Sequence, residues 1–294
     1  MTVAVTGASG FFSGLTAEML LARLSPDEVI LITRDPEGVA PKLRESGAII
    51  RAADFEQPDS LRGAFDGADR ALVMSVDHNV TPHRVEAHRA AFQAAADAGV
   101  KHIAFPSMPR VDEDHPTDTY AFEYPESEKV LEELGVDWTV LQNAPYAEGL
   151  IPRGAMAVGS GRLTSNAGDG QTAPVSHADC AAVAVSVLLD DGHAGKTYVV
   201  TGPELYTQAQ LADLFAEISG KPVELAEVGD DEHGEILRQA GIPEPFDVYL
   251  PRHLKAVRLG YFDDLTDVVK SVTGKEPDRV PDVLAANRDA LLGG

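Results

Sequence analysis

The chain has little of three things: cysteine, positive charge and long apolar runs. Its single cysteine, Cys180, excludes a disulfide within the chain and favours a reducing compartment. No apolar run is long enough to span a bilayer and no basic-then-apolar leader precedes Val3, so we expect a cytoplasmic protein. Lysine and arginine total 24 against 47 aspartates and glutamates, a formal net charge of −23. Such a field repels nucleic acid and anionic membranes, which argues against both as partners.

Short apolar segments alternate with amphipathic ones along the first 200 residues. The apolar segments, predicted as strands, are residues 3–5, 29–33, 48–52, 71–75, 102–106, 138–141 and 197–200. Helix-like stripes fill the intervals, most clearly over residues 83–98. Strand, helix and strand in repetition predict an α/β protein with a doubly wound parallel sheet, a Rossmann fold, which binds ligands at the carboxyl ends of its strands.

The first predicted strand ends in a glycine-rich turn, Thr6-Gly7-Ala8-Ser9-Gly10-Phe11-Phe12-Ser13-Gly14. A strand that breaks at glycine and enters a helix leaves unpaired backbone N–H groups at the helix N-terminus, where the helix dipole favours a phosphate. Gly7 suits the tight turn, Gly10 lets the backbone approach a pyrophosphate, and Ser13 takes the third position, which accepts a small residue. The alternative is a tight turn without a ligand. The predicted dinucleotide contacts are Gly7, Ala8, Ser9, Gly10, Phe11 and Phe12.

The regular alternation fails after residue 148. Glycine and proline predict a loop-rich excursion over 149–172, after which a helix over 178–189 and the strand over 197–200 return to the sheet. From residue 202 onward short helices alternate with proline-bearing turns. We therefore predict a nucleotide-binding Rossmann domain made of residues 1–148 and 173–201. Residues 149–172 and 202–294 would form a smaller substrate-binding cap, with the substrate in the cleft between them.

A family resemblance rests on short matches spread over nearly the whole chain. Besides the turn, these include Arg34-Asp35-Pro36, Ala98-Gly99-Val100-Lys101, Glu128-Lys129, Gln142-Asn143-Ala144-Pro145-Tyr146 and Phe262-Asp263-Asp264. On these residues the chain resembles the atypical short-chain dehydrogenase/reductases of the NmrA-like group, and within it the bacterial type 2 NAD(P)H:quinone oxidoreductases. The resemblance implies an NAD(P)-binding Rossmann domain, a small C-terminal substrate domain and reduction of a small molecule.

Arg34 bears on the choice of cofactor, because it follows the second strand, where a Rossmann fold meets the adenosine ribose. An acidic residue there accepts a hydrogen bond from the 2′-hydroxyl of NAD, whereas arginine neutralises the 2′-phosphate of NADP. In the similar reductases the equivalent position contacts that phosphate. NADP(H) is therefore expected to be preferred. NAD(H) stays open, since Arg34 could instead pair with neighbouring Asp35.

Further cofactor contacts are expected where the later strands end. The resemblance puts an adenine contact at Asp54, and the ends of the fourth, fifth and sixth strands should pass beside the nicotinamide. The predicted contacts are Asp54, Phe55, Met74, Ser75, Val76, Pro106, Ser107, Asn143, Ala144 and Pro145, with Met108 and Tyr146 in the substrate pocket. Asp54 as a solvated loop residue, Ser75 bonded to its own backbone and Tyr146 as a packing residue are the alternatives.

The usual catalytic pair of short-chain dehydrogenases, a tyrosine and a lysine four residues apart on a helix, is absent. Four residues after Tyr124 comes Glu128, and Lys129 lies about 140° from the tyrosine on a regular helix. Pro125 suits the first helical position, which puts Tyr124 at the cap. Lys129 and Tyr124 remain the catalytic candidates, Lys129 as a contact to ribose or substrate oxygen. The alternatives are a solvated lysine and a packed tyrosine.

Metal and serine-hydrolase chemistry are not expected. His83 and His88 are five residues apart, do not share a helical face and have no evident third ligand. No Gly-x-Ser-x-Gly motif occurs, and Ser107 has no histidine or acid partner that can be recognised from the sequence.

The sequence thus predicts an NADPH-dependent reductase that passes a hydride to a small quinone or carbonyl-type acceptor. The missing pair is also compatible with a redox-sensing regulator that binds NAD(P) and a protein partner without turnover. A third alternative is an isoflavone-reductase-like enzyme that acts through Lys129. A quinone can draw its protons from water, so placement of the nicotinamide alone can be enough. A homodimer or another protein partner is left open.

Overall fold

A computed structural model describes residues 1–76, 83–109 and 124–294, and these residues form eleven strands and twelve helices. The strands are β1 (Val3–Thr6), β2 (Val29–Thr33), β3 (Ile49–Ala52), β4 (Arg70–Leu72), β5 (His102–Ser107), β6 (Asp137–Asn143), β7 (Arg162–Ser165), β8 (Gln171–Thr172), β9 (Lys196–Val200), β10 (Tyr206–Thr207) and β11 (Glu224–Glu227). The helices are α1 (Phe11–Leu21), α2 (Pro41–Arg44), α3 (Arg84–Asp97), α4 (Tyr124–Glu132), α5 (Leu150–Ser160), α6 (His177–Leu189), α7 (Gln208–Ser219), α8 (Asp230–Gln239), α9 (Phe246–Arg258), α10 (Val268–Thr273), α11 (Val280–Ala286) and α12 (Arg288–Leu291). Short 3₁₀ turns lie at Pro26–Glu28, Pro58–Leu61 and Ala147–Gly149.

Seven strands form one parallel sheet in the order β3-β2-β1-β4-β5-β6-β9. The chain builds from β1 outward to β3, crosses back to β4 beside β1, and then builds to the other edge. This order confirms the predicted doubly wound fold, and it puts a switch point between β1 and β4, where a crevice opens at the carboxyl ends. All seven strands were expected from the sequence. The fourth, predicted over 71–75, ends earlier, at Leu72.

Both faces of this sheet are buried under helices, because alternate residues of each strand point to opposite sides. Val3 and Val5 belong to one core cluster, under α1 and α6, whereas Ala4 between them belongs to the other, under α3 and α4. The same alternation continues on β2, where Leu31 joins the first core and Ile30 the second. In the described ranges, no helix combines the length and apolar character needed to cross a bilayer.

The predicted loop-rich excursion over 149–172 is wrong, because its first part is the eleven-residue helix α5. Pro152 is tolerated since it lies in the first turn. Gly154 lies at a close helix contact, where an added Cβ would be 2.8 Å from a ring carbon of Phe215 and would also clash with Leu291. The glycine therefore allows packing here rather than ending a helix.

The second half of the chain contributes to several cores. Buried residues of α5, α7, α11 and α12 form a third core, and α9 contributes to a fourth with Phe262. In contrast, α10 packs on α6, and its Val269 belongs to the first core of the sheet. The division into a Rossmann domain and a cap stays a prediction.

Candidate active site

The turn after β1 is built around two glycines. Gly7 has a φ of +66°, a conformation that favours glycine, and an added Cβ would lie 3.5 Å from Cγ of Met74. The N–H of Gly10 donates to the carbonyl of Gly7 at 2.8 Å, and an added Cβ on Gly10 would be 3.2 Å from that oxygen. At the third position Ser13 Oγ donates to the carbonyl of Thr6 at 2.9 Å, which ties α1 to β1. Within the described residues no side chain caps α1, so its first N–H groups are left for solvent or a ligand.

A cleft of about 280 Å³ opens at the switch point beside this turn. Most of its lining was predicted from the sequence: Gly7, Ser9, Gly10, Arg34, Asp54, Phe55, Met74, Ser75 and Val76. Four further residues line the cleft and were not predicted: Thr6, Ile32, Thr33 and Ala53. Each lies one or two positions before a residue that was predicted. As cofactor contacts, all of these residues stay predictions.

Arg34 is exposed at this cleft. In the part of the chain that is described, it makes no ion pair with Asp35, whose carboxylate lies against Gly38 and whose N–H donates to Thr33 Oγ1 at 3.2 Å. The guanidinium group is thus available to an anion. An arginine in this state can bind a phosphate through two parallel N–H donors.

Asp54 both lines the cleft and holds its own loop together. Its carboxylate accepts hydrogen bonds from the N–H of Glu56 at 3.1 Å and from Nε2 of Gln57 at 3.2 Å. These local contacts orient the loop between β3 and the following 3₁₀ turn.

Three predicted contacts in the turn do not line the cleft. Ala8 is buried, and its N–H donates to the carbonyl of Ile32 at 3.1 Å, so this donor is already used. Phe12 is buried in the first core, whereas Phe11 is 65% exposed. Cofactor contacts of these residues are left as predictions.

The carboxyl ends of β5 and β6 lie next along the same edge, where Ser107 pairs in register with Gln142. Asn143 is buried, and its Nδ2 donates to the hydroxyl of Tyr146 at 3.3 Å. Its Oδ1 is buried without a hydrogen-bond partner among the described residues. Because an unpaired buried amide oxygen costs about 1–3 kcal/mol, a ligand N–H group at this position would be favourable. The other predicted residues here are Pro106 and Ala144, which are buried, and Pro145, which is half-buried.

Tyr146 forms an aromatic wall beside Asn143. Its ring stacks on His177 with centroids 3.9 Å apart and lies 6.3 Å from the ring of Phe12. Burial raises the pKa of the Tyr146 phenol, so it stays protonated at neutral pH. His177 Nδ1 lies 2.8 Å from a carboxylate oxygen of Glu148, which fixes the imidazole ring. His177 and Glu148 were not predicted as site residues, since they are far apart in sequence and belong to no motif.

Helix α4 includes Tyr124, which the sequence predicted at the helix cap, so Tyr124 and Glu128 share a helical face. Tyr124 is buried, and the guanidinium carbon of Arg84 lies 4.2 Å from its ring centroid. Lys129 is exposed. The structure therefore brings Glu128, and not Lys129, to the sheet edge.

Glu128 forms a polar cluster with the ends of β5 and β6, which we call the Glu128 cluster: Ser107, Glu128 and Gln142. Ser107 Oγ donates to Oε1 of Glu128, and Gln142 Nε2 lies 3.2 Å from both carboxylate oxygens. Burial raises the pKa of Glu128 to about 7, although the hydrogen bonds from Ser107 and Gln142 lower it. Ser107 thus has an acid partner that the sequence did not reveal. The only local signal was the position of Glu128 four residues after Tyr124.

His88 is a structural residue beside this cluster. Its Nε2 accepts a hydrogen bond from the N–H of Val76 at 3.0 Å, and its Nδ1 lies 2.9 Å from Ser127 Oγ. Burial lowers the pKa of His88 to about 3, so the imidazole is neutral. It links the end of the cleft to α4.

Comparison with known proteins agrees with this geometry. A family model described as NAD(P)H-binding matches residues 7–191. Quinone oxidoreductase 2 of Escherichia coli (strain K12) is 31% identical over 271 residues, 92% of this chain and 93% of that protein. A crystal structure of Citrobacter sp. triphenylmethane reductase with NADP(H) has a TM-score of 0.90 and 30% identity, covering 98% of this chain and all of that one. One of the Escherichia coli NADPH-dependent quinone oxidoreductase QOR2 with NADPH has a TM-score of 0.91 and 28% identity, covering 97% and 99%.

Proposed function

We propose that this chain reduces a small quinone or carbonyl-type acceptor with NADPH. The chain belongs to the NAD(P)H-binding, NmrA-like family of reductases, and the proposal starts from that membership. The observation that carries the proposal is the cleft at the switch point, with its glycine turn and an exposed Arg34 that has no ion pair among the described residues. The relatives supply the class of acceptor, since they include a quinone oxidoreductase. When bound, NADPH supplies a hydride from its nicotinamide ring.

Residues at the carboxyl edge of the sheet fit the successive parts of NADPH. The turn from Gly7 to Gly10 and the start of α1 would hold the pyrophosphate, because N–H groups at a helix N-terminus favour a phosphate. Arg34 would hold the 2′-phosphate. At the other end, Oδ1 of Asn143, which lacks a hydrogen-bond partner within the described ranges, would accept a hydrogen bond from the nicotinamide carboxamide.

The acceptor would lie against Tyr146 and Met108. The Tyr146 ring is held flat against His177, and a rigid aromatic wall suits a planar acceptor such as a quinone. Met108 packs both on the second core of the sheet and on the core to which α9 contributes, so it lies between these two cores. Its unbranched side chain can adapt to acceptors of different shape.

The proposal is tested by incubating the protein with NADPH and a panel of quinones, aldehydes and enones while following the absorbance of the reduced nicotinamide. We expect oxidation of NADPH with at least one quinone. Tight NADPH binding without oxidation on any acceptor would contradict the proposal and favour the regulator that binds NAD(P) without turnover.

A further inference from the structure

We propose that Ser107 and Glu128 form a proton relay for this reduction, in which Ser107 donates a proton to the acceptor oxygen and Glu128 replaces it. The inference rests on the proposed function, because it names the source of the proton which that reaction consumes. It also gives a role to the position four residues after Tyr124, where the usual pair has a lysine and this chain has a carboxyl group.

The positions of the three side chains support a relay. Ser107 is the last residue of β5, at the carboxyl edge where the acceptor and nicotinamide are expected. Glu128 reaches its hydroxyl group from α4, while Gln142 on β6 lies 3.2 Å from both carboxylate oxygens and so fixes the plane of the carboxyl group. An ionised Glu128 accepts the hydrogen bond from Ser107 Oγ. When Glu128 is protonated, its O–H can instead donate to Ser107 Oγ, which leaves the serine O–H free to donate to a ligand. Such a group can therefore connect a partly buried acid to a ligand.

The charges around Glu128 favour its protonated form. On α4, the negative charge of Glu132 favours the neutral form of Glu128, and the adjacent Lys129 is exposed. From β5 and β6 the facing groups are the neutral Ser107 and Gln142. From α3, His88 is neutral, and the guanidinium group of Arg84 lies over Tyr124. In the described ranges no cation pairs with Glu128, which is why burial can raise its pKa to about 7.

The step balances with the NADPH that the proposed function supplies. The acceptor carbonyl gains the hydride, its π electron pair moves to oxygen, and that oxygen takes the proton from Ser107 Oγ. The O–H bond of the Glu128 carboxylic acid then breaks as its proton passes to Ser107 Oγ. The carboxylate regains a proton from solvent, so one acceptor, one NADPH and one proton give the reduced acceptor and NADP⁺.

The test compares Glu128→Gln, which keeps the shape and hydrogen bonding but cannot release a proton, with Glu126→Gln, an exposed change on the same helix. For the wild-type protein and Glu126→Gln we expect kcat to fall as pH rises through about 7, because only the acid form donates. For Glu128→Gln we expect kcat to be about a hundredfold lower and independent of pH in this range, with an unchanged Kd for NADPH.

A second measurement does not depend on turnover. In the cofactor-free protein with ¹³C-labelled glutamate, one side-chain carboxyl signal should titrate near pH 7 and should disappear in Glu128→Gln. If that signal titrates in the ordinary range of glutamate, or if the pH profile of Glu128→Gln parallels that of the wild type, the relay is overturned and the proposed function stands. Absence of turnover in the wild-type protein overturns the proposed function and the relay with it.

Discussion

The ends of β1 and β4 and the ends of β5 and β6 lie on the same edge of one sheet, yet they are built differently. At β1 and β4, a cleft is lined by backbone and by side chains that follow their strands directly, such as Arg34 after β2. At β5 and β6, the polar groups are the Glu128 cluster and Asn143, side chains from three elements held together by hydrogen bonds. The first region is suited to bind a large anion, and the second to position a ring and move a proton.

The two regions also treat charge differently. The guanidinium group of Arg34 is exposed, so it can bind a phosphate with little cost of burying its own charge. The carboxyl group of Glu128 is partly buried and pairs with no cation in the described part of the chain, so burial favours its neutral form. Changes in the first region should therefore alter cofactor affinity, and changes in the Glu128 cluster of the second region should alter the rate of reaction. The following predictions test this division.

The largest loss of affinity is expected for Gly7→Ala. A side chain at a φ of +66° strains the turn by about 1–2 kcal/mol, which lowers stability. A shifted turn would also lose about two charge-assisted hydrogen bonds to the pyrophosphate, at about 1.5–3 kcal/mol each, so NADPH binding should weaken by at least about a hundredfold. Isothermal titration calorimetry measures the affinity, and thermal unfolding measures the strain.

The matched control is Gly99→Ala, at the end of α3. Gly99 has a φ of +88°, and an added Cβ would meet nothing within 4 Å. The Gly99→Ala variant should also lose about 1–2 kcal/mol of stability, but its affinity for NADPH should not change. Equal losses of affinity in the two variants would mean that the turn after β1 has no special part in binding.

The first region could be predicted from the sequence because its signals are local. The strand over 29–33 and the turn beginning at Gly7 are each visible in a short window, and the switch point follows from the strand order. Arg34, Asp54 and Met74 then follow from their places at strand ends.

The second region could not be predicted in the same way. Ser107 and Glu128 are 21 residues apart, and His177 and Glu148 are 29 apart, so their contacts depend on how helices pack against the sheet. The glycines of α5 were misinterpreted for the same reason. Gly154 looks like a helix breaker in the sequence, but it is required by the approach of Phe215, which is 61 positions away by residue number.

A smaller loss of affinity is expected for Arg34→Ala, and it should be selective. Removing charge-assisted hydrogen bonds to a phosphate should weaken NADPH binding by about 1.5–3 kcal/mol, about tenfold to a hundredfold, and leave NADH binding nearly unchanged. Fluorescence titration with both cofactors measures the difference. Arg62→Ala, an exposed arginine outside the cleft, is the control. Equal losses for NADPH and NADH would refute the 2′-phosphate role.

For Asn143→Ala we expect a loss of affinity that concerns only the nicotinamide half of NADPH. If Oδ1 accepts from the carboxamide, the variant should bind NADPH about tenfold more weakly, because one hydrogen bond in a buried site is lost. Binding of 2′,5′-ADP, which lacks the nicotinamide, should not change, and calorimetry with both ligands separates the two halves of the cofactor. A parallel loss for 2′,5′-ADP would show that Asn143 acts on the fold of the edge rather than on the ring.

The smallest effect is expected for Lys129→Ala, although Lys129 and Tyr124 were the catalytic candidates from the sequence. Lys129 is exposed on α4, and the neighbouring Glu128 reaches the sheet edge in its place. Because Lys129 is exposed and does not line the cleft, kcat and KM should both change less than about twofold. Stability should change by about 0.5 kcal/mol at most. Steady-state kinetics beside Glu128→Gln makes the contrast direct. A tenfold loss in Lys129→Ala with a normal pH profile in Glu128→Gln would reverse the roles of the two residues and support the isoflavone-reductase-like alternative.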